Sequence, residues 1–439
     1  MLSKKLFPLK KTSSFELKIP SDKSIAHRAF ILAAFAQEKS RIEVSEIGED
    51  LQATLECIQC LGAGLQFNKN YISITPIQSM PIKASLNCKN SGTTMRLLTG
   101  ILCGYEGEWI FHGDASLNSR PMGRLEDALK ACGVRFKFQN PKSRTAPFTL
   151  DAPKKINNFN YELPIASAQI KSACLFAAMK AQGLSQFSGK IQSRNHSEEI
   201  LQKLNAPIKI SDEKISIKGP FKIKSINMHV PSDLSSFAFW AAFGGLFSEE
   251  LQTFKKISLN KSRLTFLEKI KSMGCFIEYH NEEEALENYG DIHLKKATSL
   301  KAIDIHEEES AFLIDEIPLL ALLCTQAEGV SHFRGLRELK HKESDRFKNT
   351  LQILRAFGAS IEELPNDSLK ITGPSELTSP QKMDSDGDHR MAFLITLCSW
   401  LVKDSATELI NHKVTSVSYP NFWQDIKNLE KKGALTFYE

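Results

Sequence analysis

Six segments of this 439-residue chain end on the same punctuation, and the distance between them limits the folds open to it. Each places an apolar residue four positions before a glycine or asparagine and follows it with a short alternating strand. The pairs are Ile58 and Gly62, Leu129 and Gly133, Leu201 and Asn205, Ile270 and Gly274, Leu354 and Gly358, and Leu429 and Gly433. The markers are 71, 72, 69, 84 and 75 residues apart, too long for a solenoid unit and right for one compact α/β subunit used six times. Gly or Asn at the marker suits the left-handed conformation that stops a helix.

A second register accompanies the first. Nearly all-apolar helices with small or polar N-termini are expected over 24–36, 93–103, 168–181, 235–245, 316–327 and 389–403. From Ser24, Thr93, Ser167, Ser235, Asp315 and His389 to the next marker the offsets are 38, 40, 38, 39, 43 and 44 residues. A helix that is apolar all round is buried, so six of them imply central helices with sheet outside. An ordinary doubly wound sheet would instead show apolar strands between amphipathic helices.

Those helix ends matter chemically. A helix N-terminus has unpaired amide hydrogens and about half a positive charge, so it attracts anions. Charged and hydroxyl residues gather there: Asp22-Lys23-Ser24, His27-Arg28, Asn90-Ser91-Gly92-Thr93, Ser167-Ala168-Gln169, Asp315-Glu316 and Asp388-His389-Arg390. Arg120, Arg194, Lys342 and Arg346 stand in short segments bearing Gly, Ser, Asp or Pro. Glu343, set among the cations of Lys340 to Arg346, is suited to act as a base or to pair with Arg346 three positions on.

Other features exclude more than they suggest. A net charge of +5, mixed along the chain, argues against nucleic acid or an anionic membrane as partner. Nine cysteines, mostly in apolar helices, fit a reducing compartment without a disulfide framework. The longest apolar run, Met391 to Val402, is too short to cross a bilayer, and no signal peptide opens the chain, so the cytoplasm is expected. Cys57-x-x-Cys60 lacks a second ligand pair, and Glu282 to Glu284 and His306 to Glu309 read as solvated charge runs. Neither a Walker loop nor a Rossmann glycine fingerprint is present.

In combination, Lys23-Ser24-x-x-His27-Arg28, Asn90 to Arg96, Arg120-Pro121-Met122, Ser167-Ala168-Gln169, Asp315-Glu316, Lys342 to Arg346 and Asp388 to Ala392 resemble the EPSP synthase (3-phosphoshikimate 1-carboxyvinyltransferase) family over the whole chain. Ser193 to Glu198 looks like its bacterial glyphosate-tolerant subgroup. The resemblance implies an inside-out α/β barrel, with two domains of three βαβαββ repeats and the active site in the cleft between them. The domains would be 20–231, and 232–439 together with the N-terminal strand 1–19. A monomer is expected.

The implied reaction moves the enolpyruvyl group of phosphoenolpyruvate to the 5-hydroxyl of shikimate 3-phosphate. By resemblance, Lys23, Ser24, Arg28, Ser167, Ala168, Gln169, Arg194, Asp315 and Lys342 hold shikimate 3-phosphate. Lys23, Gly92, Thr93, Arg120, Gln169, Arg346 and Arg390 surround phosphoenolpyruvate. Asp315, Glu343 and Lys23 carry the proton transfers, and neither metal nor organic cofactor is required. The chain departs from the family at Ala168, Leu97, Glu338 and Val417, the last standing where other members place a lysine of the phosphoenolpyruvate cluster. Two alternatives share the basic helix ends. One is UDP-N-acetylglucosamine enolpyruvyltransferase, whose loop cysteine is missing from Asp114 to Arg124; the other is a non-enzymatic binder of phosphorylated metabolites.

Overall fold

The computed structural model describes residues 3–403 and 405–438. All six marker residues adopt the left-handed backbone, with φ of 103° at Gly62, 101° at Gly133, 57° at Asn205, 104° at Gly274, 83° at Gly358 and 71° at Gly433. The six apolar helices are present as Lys23–Ala34, Gly92–Leu102, Ala168–Ala178, Leu234–Phe247, Ile317–Thr325 and His389–Leu401. Nearly every side chain along them is buried; from Leu234 to Gly245 and from His389 to Trp400 the burial is continuous.

Those helices form the interior of two compact units, each with its own hydrophobic core. One unit comprises Ser21–Pro231 and Glu284–Glu287; the other comprises residues 3–20, Ser232–Glu283 and residues from Asn288 onward. Sheets cover the helices with a recurring order: an edge strand parallel to its neighbour, then two antiparallel strands. Lys83–Asn87 runs parallel to Gly107–His112, which is antiparallel to Thr145–Ala152, itself antiparallel to Arg135–Asn140. Five four-stranded sheets follow this plan.

The plan is permuted along the chain. The first repeat receives its parallel edge strand from Asn227–His229, and the fourth from Glu16–Lys18. In the sixth, Ser3–Leu6 pairs with Thr407–Ile410 and Leu9–Thr12 with Leu435–Phe437. N-terminal strands therefore complete sheets of the C-terminal half, which accounts for chain crossings at Pro20 and Pro231. The sheets remain separate among the described residues, with helices inside and strands outside each unit, the inside-out arrangement expected.

Candidate active site

In the Ser21–Pro231 unit, Asp22 caps the first central helix, accepting from the Ile25 amide at 3.0 Å. Lys23, next in the helix, is held by Asp50 at 2.9 Å. One turn on, Arg28 is buried, and its three hydrogen bonds all go to neutral oxygens: Ser197 Oγ at 2.7 Å, the Ser24 carbonyl at 2.7 Å and Ser172 Oγ at 2.8 Å. Burial lowers its pKa, opposed chiefly by the charges of Glu198 and Glu287. Because no carboxylate bonds it directly, its charge remains available to an anion.

The Gly92 and Ala168 helices begin differently. Their caps are the hydroxyls of Ser91 and Ser167, which accept from Thr94 and Ile170 and add no negative charge. Gln169 links the two ends, donating to Thr93 Oγ1 at 2.9 Å and accepting from Arg96 Nη1 at 2.9 Å. Arg120 donates to Asn90 at 2.7 Å, while its Nε is buried without a hydrogen-bond partner. A Cβ on Gly92 would lie 2.6 Å from Arg96 Nη1 and 3.4 Å from Arg120 Nη1. The missing side chain thus makes room for two guanidinium groups. Arg194 lies on the connection between the Gly183–Gly189 strand and the His196–Lys203 helix.

His27 is enclosed between these features. Its Nδ1 is 2.6 Å from Thr54 Oγ1, which is 2.6 Å from Thr94 Oγ1, which in turn donates to Ser91 Oγ at 2.7 Å. Desolvation pushes its pKa down to about 3, outweighing Asp50, while Lys23 and Arg28 add to the fall. It is neutral near pH 7 and cannot serve as a cation there.

Carboxylates dominate the other unit. Arg346 is buried and contacts Asp315 at 2.8 Å, Glu343 at 2.6 Å and Asp388 at 2.7 Å. Burial alone would lower its pKa, but Asp388, Glu343 and Asp315 hold it above the ordinary value. Lys342 approaches the same Asp315 oxygen at 3.5 Å. The expected partnership of Glu343 with Arg346 is real, yet it is one arm of a three-carboxylate clamp. Arg390 donates to the Ser235 carbonyl at 3.1 Å and lies 3.8 Å from Glu316, while its Nε is buried without a partner. Glu316 also pairs with fully buried Arg263 at 3.3 Å.

Asp50, Thr54, Arg263 and Glu287 escaped the sequence reading, and Lys171, in the segment that opens the third apolar helix, was given no role. Their role is visible only once the helices are placed. Arg96, Glu198 and Asp388 stood within recognised motifs without an assigned task. Cys57 is buried and Cys60 exposed on one helix, and no grouping suited to a metal occurs among the described residues. Val417 lies in the turn His412–Val417 together with Lys413, which is exposed.

Comparison with known proteins decides the family. The family model for EPSP synthase (3-phosphoshikimate 1-carboxyvinyltransferase) matches residues 10–426. The chain belongs to this family. It is similar to the 3-phosphoshikimate 1-carboxyvinyltransferase of Lactococcus lactis, 35% identical over 420 residues covering 94% of this chain and 96% of that protein. The Thermotoga neapolitana enzyme is 33% identical, over 96% of this chain and 98% of that one. EPSP synthase from Acinetobacter baumannii superposes with a TM-score of 0.85 at 28% identity over 97% of each chain. The enolpyruvyl transferase NikO from Streptomyces tendae, 17% identical with a TM-score of 0.77 over 99% of each chain, shares the fold.

Proposed function

We propose that the side chains described above carry out enolpyruvyl transfer. The family reaction moves the enolpyruvyl group of phosphoenolpyruvate onto the 5-hydroxyl of shikimate 3-phosphate and releases phosphate, on the route to aromatic amino acids. The observation that carries the assignment of roles is an asymmetry of partners. Arg28 is bonded only to neutral oxygens and Arg120 keeps an unpartnered Nε, whereas Asp315 and Glu343 are gathered around one arginine.

Arg28, Arg194, Ser24, Ser167, Gln169 and Lys342 bind shikimate 3-phosphate in this reading, with Ala168 contributing backbone. Arg120, Gly92, Thr93, Arg346 and Arg390 bind phosphoenolpyruvate, whose carboxylate and phosphate suit planar guanidinium groups. Asp315 takes the proton of the attacking hydroxyl as its oxygen bonds to the central carbon of phosphoenolpyruvate. A proton from Lys23 or Glu343 reaches the methylene carbon, giving a tetrahedral ketal with a methyl group. Loss of phosphate and return of one methyl proton restore the enol. Arg346 donates to both carboxylates and so holds them in place beside one another.

We further assign the protein to the cytoplasm as a monomer; no described helix is long and apolar enough to cross a membrane. The test is phosphate release from phosphoenolpyruvate with shikimate 3-phosphate as acceptor, set beside UDP-N-acetylglucosamine. Release with the first alone is expected; release with the second, or with neither, overturns the reading.

A further inference from the structure

Two neighbouring residues on a central helix grip two neighbouring residues on another helix. Lys171 Nζ contacts Glu198 Oε1 at 2.6 Å, and both side chains are 2% exposed. Beside them, Ser197 Oγ donates to Ser172 Oγ at 2.7 Å. The remaining hydrogens of the ammonium reach the carbonyls of Ile191 at 2.8 Å and Ser193 at 3.3 Å. One buried cation thus ties down the helix start and both sides of the turn that leads to Arg194. The same two serines orient Arg28, accepting from its Nη2 and Nε.

Stability does not account for this arrangement. A buried ion pair can often be replaced by apolar residues of similar volume at no loss, because desolvation offsets the attraction. Glu198 Oε2 is moreover buried without a hydrogen-bond partner, a further cost. What a lysine provides and an apolar side chain cannot is three donors for three separate acceptors. Here those acceptors lie on the loop bearing Arg194 and on the helix bearing Ser197.

We propose that Lys171 and Glu198 are positioning residues for shikimate 3-phosphate, fixing the loop that presents Arg194 and the hydroxyl that aims Arg28. The inference rests on the assignment of Arg28 and Arg194 to that substrate. A displacement of about 1 Å in such groups costs up to about a hundredfold.

Three variants test it: Glu198→Gln, which is nearly isosteric, Lys171→Met, and Lys171→Met/Glu198→Leu. Calorimetry with shikimate 3-phosphate and steady-state kinetics are run on each beside the parent protein. Expected in every folded variant is a Kd for shikimate 3-phosphate raised about ten- to a hundredfold, with kcat and the KM for phosphoenolpyruvate at saturating acceptor much less affected. The double variant is expected to regain the thermal midpoint lost by the single ones while keeping the raised Kd. Recovery of Kd together with stability shows a structural pair only and overturns the proposal, as does an unchanged Kd or an equal rise in both substrate constants. Should Lys171→Met fail to fold, Glu198→Gln and the double variant decide. A parent protein that neither binds shikimate 3-phosphate nor releases phosphate overturns the functional reading, and this inference with it; a parent that does both, with unaffected variants, overturns this inference alone.

Discussion

Asp315 and Glu343 differ from ordinary surface carboxylates because each is hydrogen-bonded to a buried arginine that has a third partner, Asp388. Neutralising either one leaves Arg346 with two carboxylates, so the clamp and the fold survive. Asp315→Asn and Glu343→Gln are therefore expected to lower kcat by about 10² to 10⁴ with little change in thermal midpoint. Steady-state phosphate release checks this, and a loss confined to KM would remove both from the proton transfers. His27 supports a second expectation. Its pKa falls to about 3 in the fold against 6.5 in the unfolded chain, so between those values the unfolded state binds more protons. Its contribution is fully present above about pH 6.5 and is lost as pH falls toward 3, at no more than about 1.4 kcal/mol per pH unit. His27→Gln should thus flatten the acid side of the stability profile. A difference in thermal midpoint between parent and variant that stays constant from about pH 7 to about pH 4 would contradict it.

At the scale of elements, the helices were legible because their burial left a continuous apolar record and their stops demanded a residue that tolerates positive φ. Helix starts were legible for the same local reason, since Ser91 and Ser167 cap in place. Strand pairing was not. Nothing near Asn227–His229 marks it as the edge of a sheet begun at Ser40, and nothing in Glu16–Lys18 points to Gln252–Ser258. Candidate site residues divide the same way: those at helix ends could be named from local pattern, whereas Asp50, Arg263 and Glu287 find their partners across long sequence separations. Gly92 shows what geometry adds. The resemblance sets it beside phosphoenolpyruvate, and its nearest neighbours in space are the side-chain ends of Arg96 and Arg120. Gly92→Ala is accordingly expected to leave stability unchanged or gain up to about 1 kcal/mol from helix propensity. It should displace the Arg96 guanidinium, which the new Cβ would meet at 2.6 Å, and raise the KM for phosphoenolpyruvate more than that for shikimate 3-phosphate. Equal changes in the two constants would separate Gly92 from the phosphoenolpyruvate site.

For the whole molecule, the six repeats are alike in fold and unlike in charge. In the Ser21–Pro231 unit two central helices start at neutral serine caps beside arginines, while in the other unit Asp233 and Asp388 cap helices and Glu316 precedes a third. Helix caps of different charge thus sit on halves built on one plan. The first half is nearly continuous in sequence and encloses its own core, from Ile25 to Val230. A fragment of residues 21–231 is therefore expected to fold and to show a cooperative thermal transition. It would lack Glu284–Glu287, and with them Glu287, whose carboxylate lies 2.7 Å from His196 Nδ1 with both side chains 1% exposed. Losing that buried partner costs about 1–3 kcal/mol, so the transition should fall below that of the same residues in the intact chain. Retaining Arg28 and Arg194, the fragment should still bind shikimate 3-phosphate, more weakly and with affinity that falls as salt screens the charges. Without Asp315 and Glu343 it should release no phosphate. Scanning calorimetry and ligand titration of the purified fragment check the three expectations together; a fragment without a cooperative transition would show that the half cannot fold alone, and phosphate release by it would remove the carboxylates from the chemistry.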